Sequence, residues 1–141
     1  MHTLRLQHDS AEEIAASLSA LIGTYRDQSD AVPIARLVGK LNALLRVHFA
    51  YEDSVLYPTM MRGGDPNAAG IAHCFQDDMG TLASRFEEFA RRWSGPTIID
   101  MMFDRFADEA FTLLTALGAR ITRENNLLYP LAEGIDLPRA A

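Results

Sequence analysis

The sequence has one cysteine, Cys74, so an internal disulfide is excluded. It also lacks an apolar stretch near its start and any run close to the ~20 apolar residues that span a bilayer. Basic runs are missing, and the formal net charge is −6, which makes nucleic acids and anionic membranes poor partners. These absences predict a soluble protein of the reducing cytoplasm.

Strand signals are also scarce, because alternating β-branched runs and Asn-Gly or Asp-Gly turns do not occur. Clustered helix breakers predict interruptions near 28–32, 62–66 and 94–97. Between them lie four segments with helical apolar periodicity, namely 4–27, 31–58, 66–93 and 98–130. We therefore predict one all-α domain over 1–141, an up-down-up-down antiparallel four-helix bundle. Pro58 and Pro130 are each expected to end a helix, with a short tail over 131–141.

One internal repeat links the second and fourth segments. The stretch from Glu52 to Pro58 recurs as Glu124 to Pro130, with Glu, Leu, Tyr and Pro matching at a spacing of 72 residues. Two helices that end alike are typical of a duplicated helical hairpin.

Two polar residues of the second segment fall near the middle of its apolar stripe. His48 and Glu52 are four residues apart, so their side chains are neighbours on one helix face. Burying an imidazole and a carboxylate is costly unless they are paired or bind a metal. The pattern predicts a metal site and leaves open a metal-free core in which the two bond each other or an arginine.

The fourth segment adds Glu124, well inside its stripe, and Arg120 near the stripe edge, one turn earlier. In the third segment, helical phase predicts that Asp78 faces the core, whereas His73 and Asp77 fall on the far side.

His8 lies at the margin of the first stripe. An alternative is that Asp9 or Ser10 caps the first helix, which would leave His8 outside it.

The candidate metal ligands come from all four segments and combine imidazole with carboxylate. They are His8, His48, Glu52, Asp78 and Glu124. Such a set suits iron, manganese or zinc rather than a metal that prefers thiolates. No Ser-His-Asp arrangement and no Gly-rich phosphate loop is present, so the sequence leaves catalysis open and favours a non-enzymatic role.

At these residues the sequence resembles the hemerythrin-like cation-binding family. That family has a His in the first helix, His-x-x-x-Glu in the second, a His in the third and His-x-x-x-Glu in the fourth. His8, the pair His48 and Glu52, and Glu124 match this pattern. Arg120 stands where the fourth-helix His is expected, and an arginine is no ordinary ligand. By its position in the sequence, His73 matches the family's third-helix His, although helical phase predicts that its side chain faces away from the core.

The resemblance implies binding of one or two iron ions, with sensing or handling of oxygen, nitric oxide, redox state or iron. A small diatomic ligand would then be a second partner. Because Arg120 adds a fixed positive charge, we expect fewer than two ions per chain. The alternative function is that of a metal-free helical regulatory or interaction module with an empty site. The sequence also leaves open a protein partner or a homodimer.

Overall fold

A computed structural model describes residues 1–135 and 137, with the side chain of Met79 excepted. The described residues form helices, turns and short connections, and none of them belongs to a strand. The helices fall into four consecutive stretches of chain, 2–23, 28–62, 66–92 and 96–132, the last interrupted at Met102. The all-α prediction is therefore confirmed.

The first connection lies earlier than the sequence predicted. Helix α1 spans His2–Gly23 and helix α2 spans Gln28–Tyr51, so the expected interruption at 28–32 is wrong. Asp27 sets the start of α2, because its carboxylate accepts a hydrogen bond from the Ser29 amide at 2.9 Å. Pro33 lies within α2. It has no amide hydrogen to donate, but the helix continues past it.

Both halves of the repeat contain a wide π-helical turn. The turn Glu52–Leu56 (π1) follows α2 and leads into α3, Tyr57–Arg62. Its counterpart Glu124–Leu128 (π2) leads into α7, Tyr129–Ala132. The prediction that Pro58 and Pro130 end their helices is wrong. Each proline sits in the first turn after a π turn, where the regular hydrogen-bond ladder is already interrupted and a missing amide hydrogen costs little.

Helices α4, Pro66–Arg92, and α5, Pro96–Met101, each begin at a proline, as expected for the first helical position. Helix α4 is capped by Asp65, whose carboxylate accepts from the Asn67 amide at 2.9 Å. Helix α5 follows Gly95, and α6 spans Phe103–Arg123. In the predicted tail, the first two residues close α7, whereas residues 136 and 138–141 lie outside the described part.

The helices enclose one shared core. Helix α1 packs on α2 and α6, and α4 also packs on α2 and α6. Fully buried side chains include Trp93, Tyr57, Tyr129, Phe75 and Phe106. Among the described residues, the polar or charged side chains buried with them are His8, His48, Glu52, Arg120 and Glu124. Within the described part, no helix is both long and apolar enough to cross a membrane.

Candidate metal centre

Four donor side chains from four elements converge in the core. His8 lies on α1, His48 on α2, Glu52 opens π1 and Glu124 opens π2. One donor atom from each lies within 4.8 Å of all the others. Each residue is at most 2% exposed, so this cluster is shielded from bulk water.

The position of His8 depends on where its helix starts. Helix α1 begins at His2, six residues before His8, so Asp9 and Ser10 lie inside the helix. The alternative in which one of them caps the helix is therefore wrong. His8, which the sequence placed at the margin of the first apolar stripe, is therefore inside the helix and only 2% exposed.

Both histidines are oriented by side-chain amides. Nδ1 of His8 donates to Oδ1 of Asn125 at 2.8 Å, and Nδ1 of His48 donates to Oε1 of Gln7 at 2.7 Å. Each imidazole therefore turns Nε2 into the cluster. An amide or carboxylate oxygen on the far ring nitrogen is how proteins hold a metal-binding histidine in the right tautomer.

The two carboxylates face these nitrogens. Oε1 of Glu124 lies 2.8 Å from Nε2 of His8 and 3.7 Å from Nε2 of His48. Oε1 of Glu52 lies 3.4 Å from Nε2 of His48, yet it has no hydrogen bond within the described part of the chain. A buried carboxylate oxygen without a donor is costly, and a bound cation would satisfy it.

The charges of the cluster depend strongly on one another. Burial lowers the pKa of His48, but the carboxylates of Glu124 and Glu52 that face its Nε2 outweigh burial and raise it to about 9. Burial raises the pKa of Glu52, and the charge of Glu124 raises it further. Burial acts upward on Glu124 as well. The facing imidazoles of His48 and His8 and the charge of Arg120 nevertheless hold its pKa well below the usual range. Without a metal, the proton that His48 retains helps to balance the carboxylates.

Arg120 occupies one side of the cluster with its guanidinium. Its Nε donates to Oε2 of Glu124 at 2.8 Å, and its Nη2 donates to the Tyr57 hydroxyl at 2.8 Å and to the Phe75 carbonyl at 2.7 Å. The guanidinium also lies over the Phe75 ring, 4.8 Å from its centre. A fixed positive charge thus lies beside the donors, at the position where the family resemblance implies a histidine.

The sequence reasoning missed two tyrosines, although the repeat contains both. Tyr129 donates to Oε2 of Glu52 at 2.8 Å and lies close to both imidazoles. Tyr57 faces Glu124 and Arg120. Each tyrosine follows a cluster glutamate by five residues across a π turn, and the conserved spacing within the repeat was the signal that could have indicated them.

Asp78 does not reach the cluster, and the prediction that it faces the core is wrong. Its side chain is 58% exposed and lies 3.7 Å from Arg123. The buried residues of α4 include Ala72, Phe75 and Leu82, and Asp78 lies on the flank of that stripe, on the side of the half-buried Ile71. Counting Ile71 as core shifted the inferred stripe toward Asp78.

His73 and Asp77 lie on the outer face of α4, as the helical phase indicates. They form an exposed pair at 3.6 Å and do not belong to the cluster of buried donors. The third stretch of the chain therefore contributes no histidine or carboxylate to the cluster among the described residues.

Two nitrogens and two carboxylates suit a divalent first-row metal, and the unsatisfied oxygen of Glu52 could bind such a cation. The family model described as the hemerythrin HHE cation binding domain matches residues 1–132 of the chain. No curated protein and no solved structure matches it significantly.

Proposed function

We propose that this chain, which belongs to the hemerythrin HHE cation-binding domain family, holds one iron ion between His8, His48, Glu52 and Glu124. The observation that carries the proposal is the paired orientation of the imidazoles, whose Nε2 atoms enter the cluster because amide oxygens accept from Nδ1. Two imidazoles with two carboxylates suit iron, with manganese or zinc as the other candidates.

The charges favour a single ion over the pair that the family pattern implies. Glu52 and Glu124 bring two negative charges, and Arg120 cancels one of them within 2.8 Å of Glu124. One divalent ion then leaves a small excess of positive charge. A second would crowd two dications and a guanidinium into a buried pocket, where uncompensated charge is very costly.

A single redox-active ion supplies one-electron chemistry, so we assign the chain a role in sensing redox state, oxygen or nitric oxide, or in handling iron, rather than in catalysis.

The proposed setting is the cytoplasm, with residues 1–141 as one domain. The proposed arrangement is an antiparallel four-helix bundle, which the packing of α1 and α4 against α2 and α6 supports.

Metal titration tests the proposal directly. Protein stripped with a chelator and titrated with ferrous iron without oxygen is expected to bind one ion per chain, measured by calorimetry and elemental analysis. Binding of no ion, with manganese and zinc also failing, would identify the chain as the metal-free module. Two ions would contradict the charge argument.

Arg120→His is expected to raise the iron content from one ion toward two per chain. The substitution removes the guanidinium charge and supplies an imidazole one turn before Glu124, where a second ion needs a ligand. Elemental analysis after identical reconstitution gives the count. Arg123→His is the matched control, because Arg123 lies on the same helix but its side chain is 51% exposed. A count that stays at one in Arg120→His would show that more than this charge excludes the second ion.

Gln7→Leu and Asn125→Leu are each expected to weaken iron binding by about 10- to 100-fold. Each change removes the amide oxygen that orients one imidazole while leaving the ligand itself in place. Competition with a chelator of known affinity measures the loss. Asn126→Leu changes an exposed neighbour and should bind as tightly as the unaltered chain. Equal affinities for all variants would remove the argument from imidazole orientation.

A further inference from the structure

The hydroxyl of Tyr129 lies among all four donors of the cluster. Its oxygen is 3.1 Å from Nε2 of His8 and 3.3 Å from Nε2 of His48. It is 2.8 Å from Oε2 of Glu52 and 3.4 Å from Oε1 of Glu124. A side chain that only filled space would not approach two imidazoles and two carboxylates at once.

These distances match those between neighbouring ligands of one ion. When donor atoms lie about 2.1 Å from a metal, two adjacent donors at a right angle are separated by about 3 Å. The Tyr129 oxygen has such a separation from each of the four donors, and the donors themselves lie within 4.8 Å of one another. The five oxygen and nitrogen atoms therefore have the separations expected of ligands to one ion.

We propose that Tyr129 is a fifth ligand, binding the ion through its phenolic oxygen. This inference rests on the proposed metal site. When ferric iron binds, the O–H bond of Tyr129 breaks, its proton leaves to solvent and an iron–oxygen bond forms, with no change in oxidation state. A phenolate adds the negative charge that offsets Arg120 on the other side of Glu124.

The repeat provides a tyrosine with a different environment. Tyr57 occupies the position 72 residues earlier, and its hydroxyl accepts from Nη2 of Arg120 at 2.8 Å and lies 3.4 Å from Oε2 of Glu124. A guanidinium beside that oxygen repels a cation, so Tyr57 supports Arg120 and Tyr129 binds the metal. The two residues therefore form a matched pair for experiment.

Ferric iron bound by a phenolate absorbs visible light by charge transfer from oxygen to iron, whereas imidazole and carboxylate ligands alone do not produce that band. The chain stripped of metal and reconstituted with ferric citrate is expected to be coloured. Tyr57→Phe should retain the band. Tyr129→Phe should lose the band and bind iron at least about tenfold more weakly, as measured by chelator competition.

Iron content measured in the same samples separates the possible failures. Bound iron without the band, or a band that persists in Tyr129→Phe, overturns the ligand role of Tyr129 and leaves the metal site standing. Absence of bound iron overturns both. Resonance Raman spectra of the unaltered chain with ring-deuterated tyrosine need no variant. Tyrosine vibrations that shift on labelling support the assignment, and their absence contradicts it.

Discussion

His48→Ala is expected to abolish iron binding by the chain. His48 supplies a nitrogen to the cluster, 3.4 Å from Glu52 and 3.7 Å from Glu124. His8 is itself a proposed ligand, and no further imidazole among the described residues belongs to the cluster. Losing a ligand removes a bond to the metal and leaves a cavity. The loss of affinity should therefore exceed the about 10- to 100-fold that outer partners contribute.

His73→Ala is a close control for that experiment. His73 and Asp77 repeat the spacing of His48 and Glu52, an imidazole one helical turn before a carboxylate, but their side chains are 65% and 69% exposed. Iron titration should leave this variant unchanged. A similar loss in both variants would mean that the iron is bound at the surface rather than in the core.

The buried pair His48 and Glu52 and the exposed pair His73 and Asp77 show which part of the site could be predicted from helical phase. For His48, Glu52 and Glu124, periodicity alone indicated burial, because each falls near the middle of an apolar stripe whose neighbours are unambiguous. Asp78 sat at a stripe edge, where counting a single half-buried isoleucine changed the inferred face. Phase arguments are reliable at the centre of a helix face and fail at its margins.

The two π turns show a different limit of prediction from the sequence. Pro58 and Pro130 predicted helix ends by a sound rule, yet each helix continues because a π turn precedes the proline. Nothing in local propensity distinguishes such a turn from a terminus. The same turns bring Tyr57 and Tyr129 onto the face of the glutamates five residues earlier, which a regular period of 3.6 residues does not predict.

Arg120 was predicted near the stripe edge, one turn before Glu124, and its guanidinium pairs with that carboxylate at 2.8 Å. Its stem is long enough to point either to solvent or to the core, so phase alone left the direction open. The hydroxyl of Tyr57 and the carbonyl of Phe75 complete its inward hydrogen bonds, and both come from other helical stretches. Such partners are known only once the helices are packed.

Glu124→Ala is expected to destabilise the metal-free protein by about 3–5 kcal/mol, the typical cost of removing one partner from a buried charge pair. Glu124 is fully buried, and its carboxylate accepts from Arg120 at 2.8 Å and faces His8 at 2.8 Å. Without it, a guanidinium that is 6% exposed keeps its charge in the core with no counterion beside it. Urea unfolding in the presence of a chelator measures the change.

The surface pair Glu88 and Arg92 controls for the charge pair itself. It has the same four-residue spacing, but Glu88 is 64% exposed, so Glu88→Ala should cost less than about 1 kcal/mol. A double variant, Glu124→Leu with Arg120→Met, separates the effect of the buried charge from that of the cavity, because it removes both charges and keeps apolar volume. If the unpaired buried charge causes most of the loss of stability, this double variant unfolds at a higher urea concentration than Glu124→Ala. If it is no more stable than Glu124→Ala, the loss comes from packing, and the pairing of Arg120 with Glu124 contributes little to the fold.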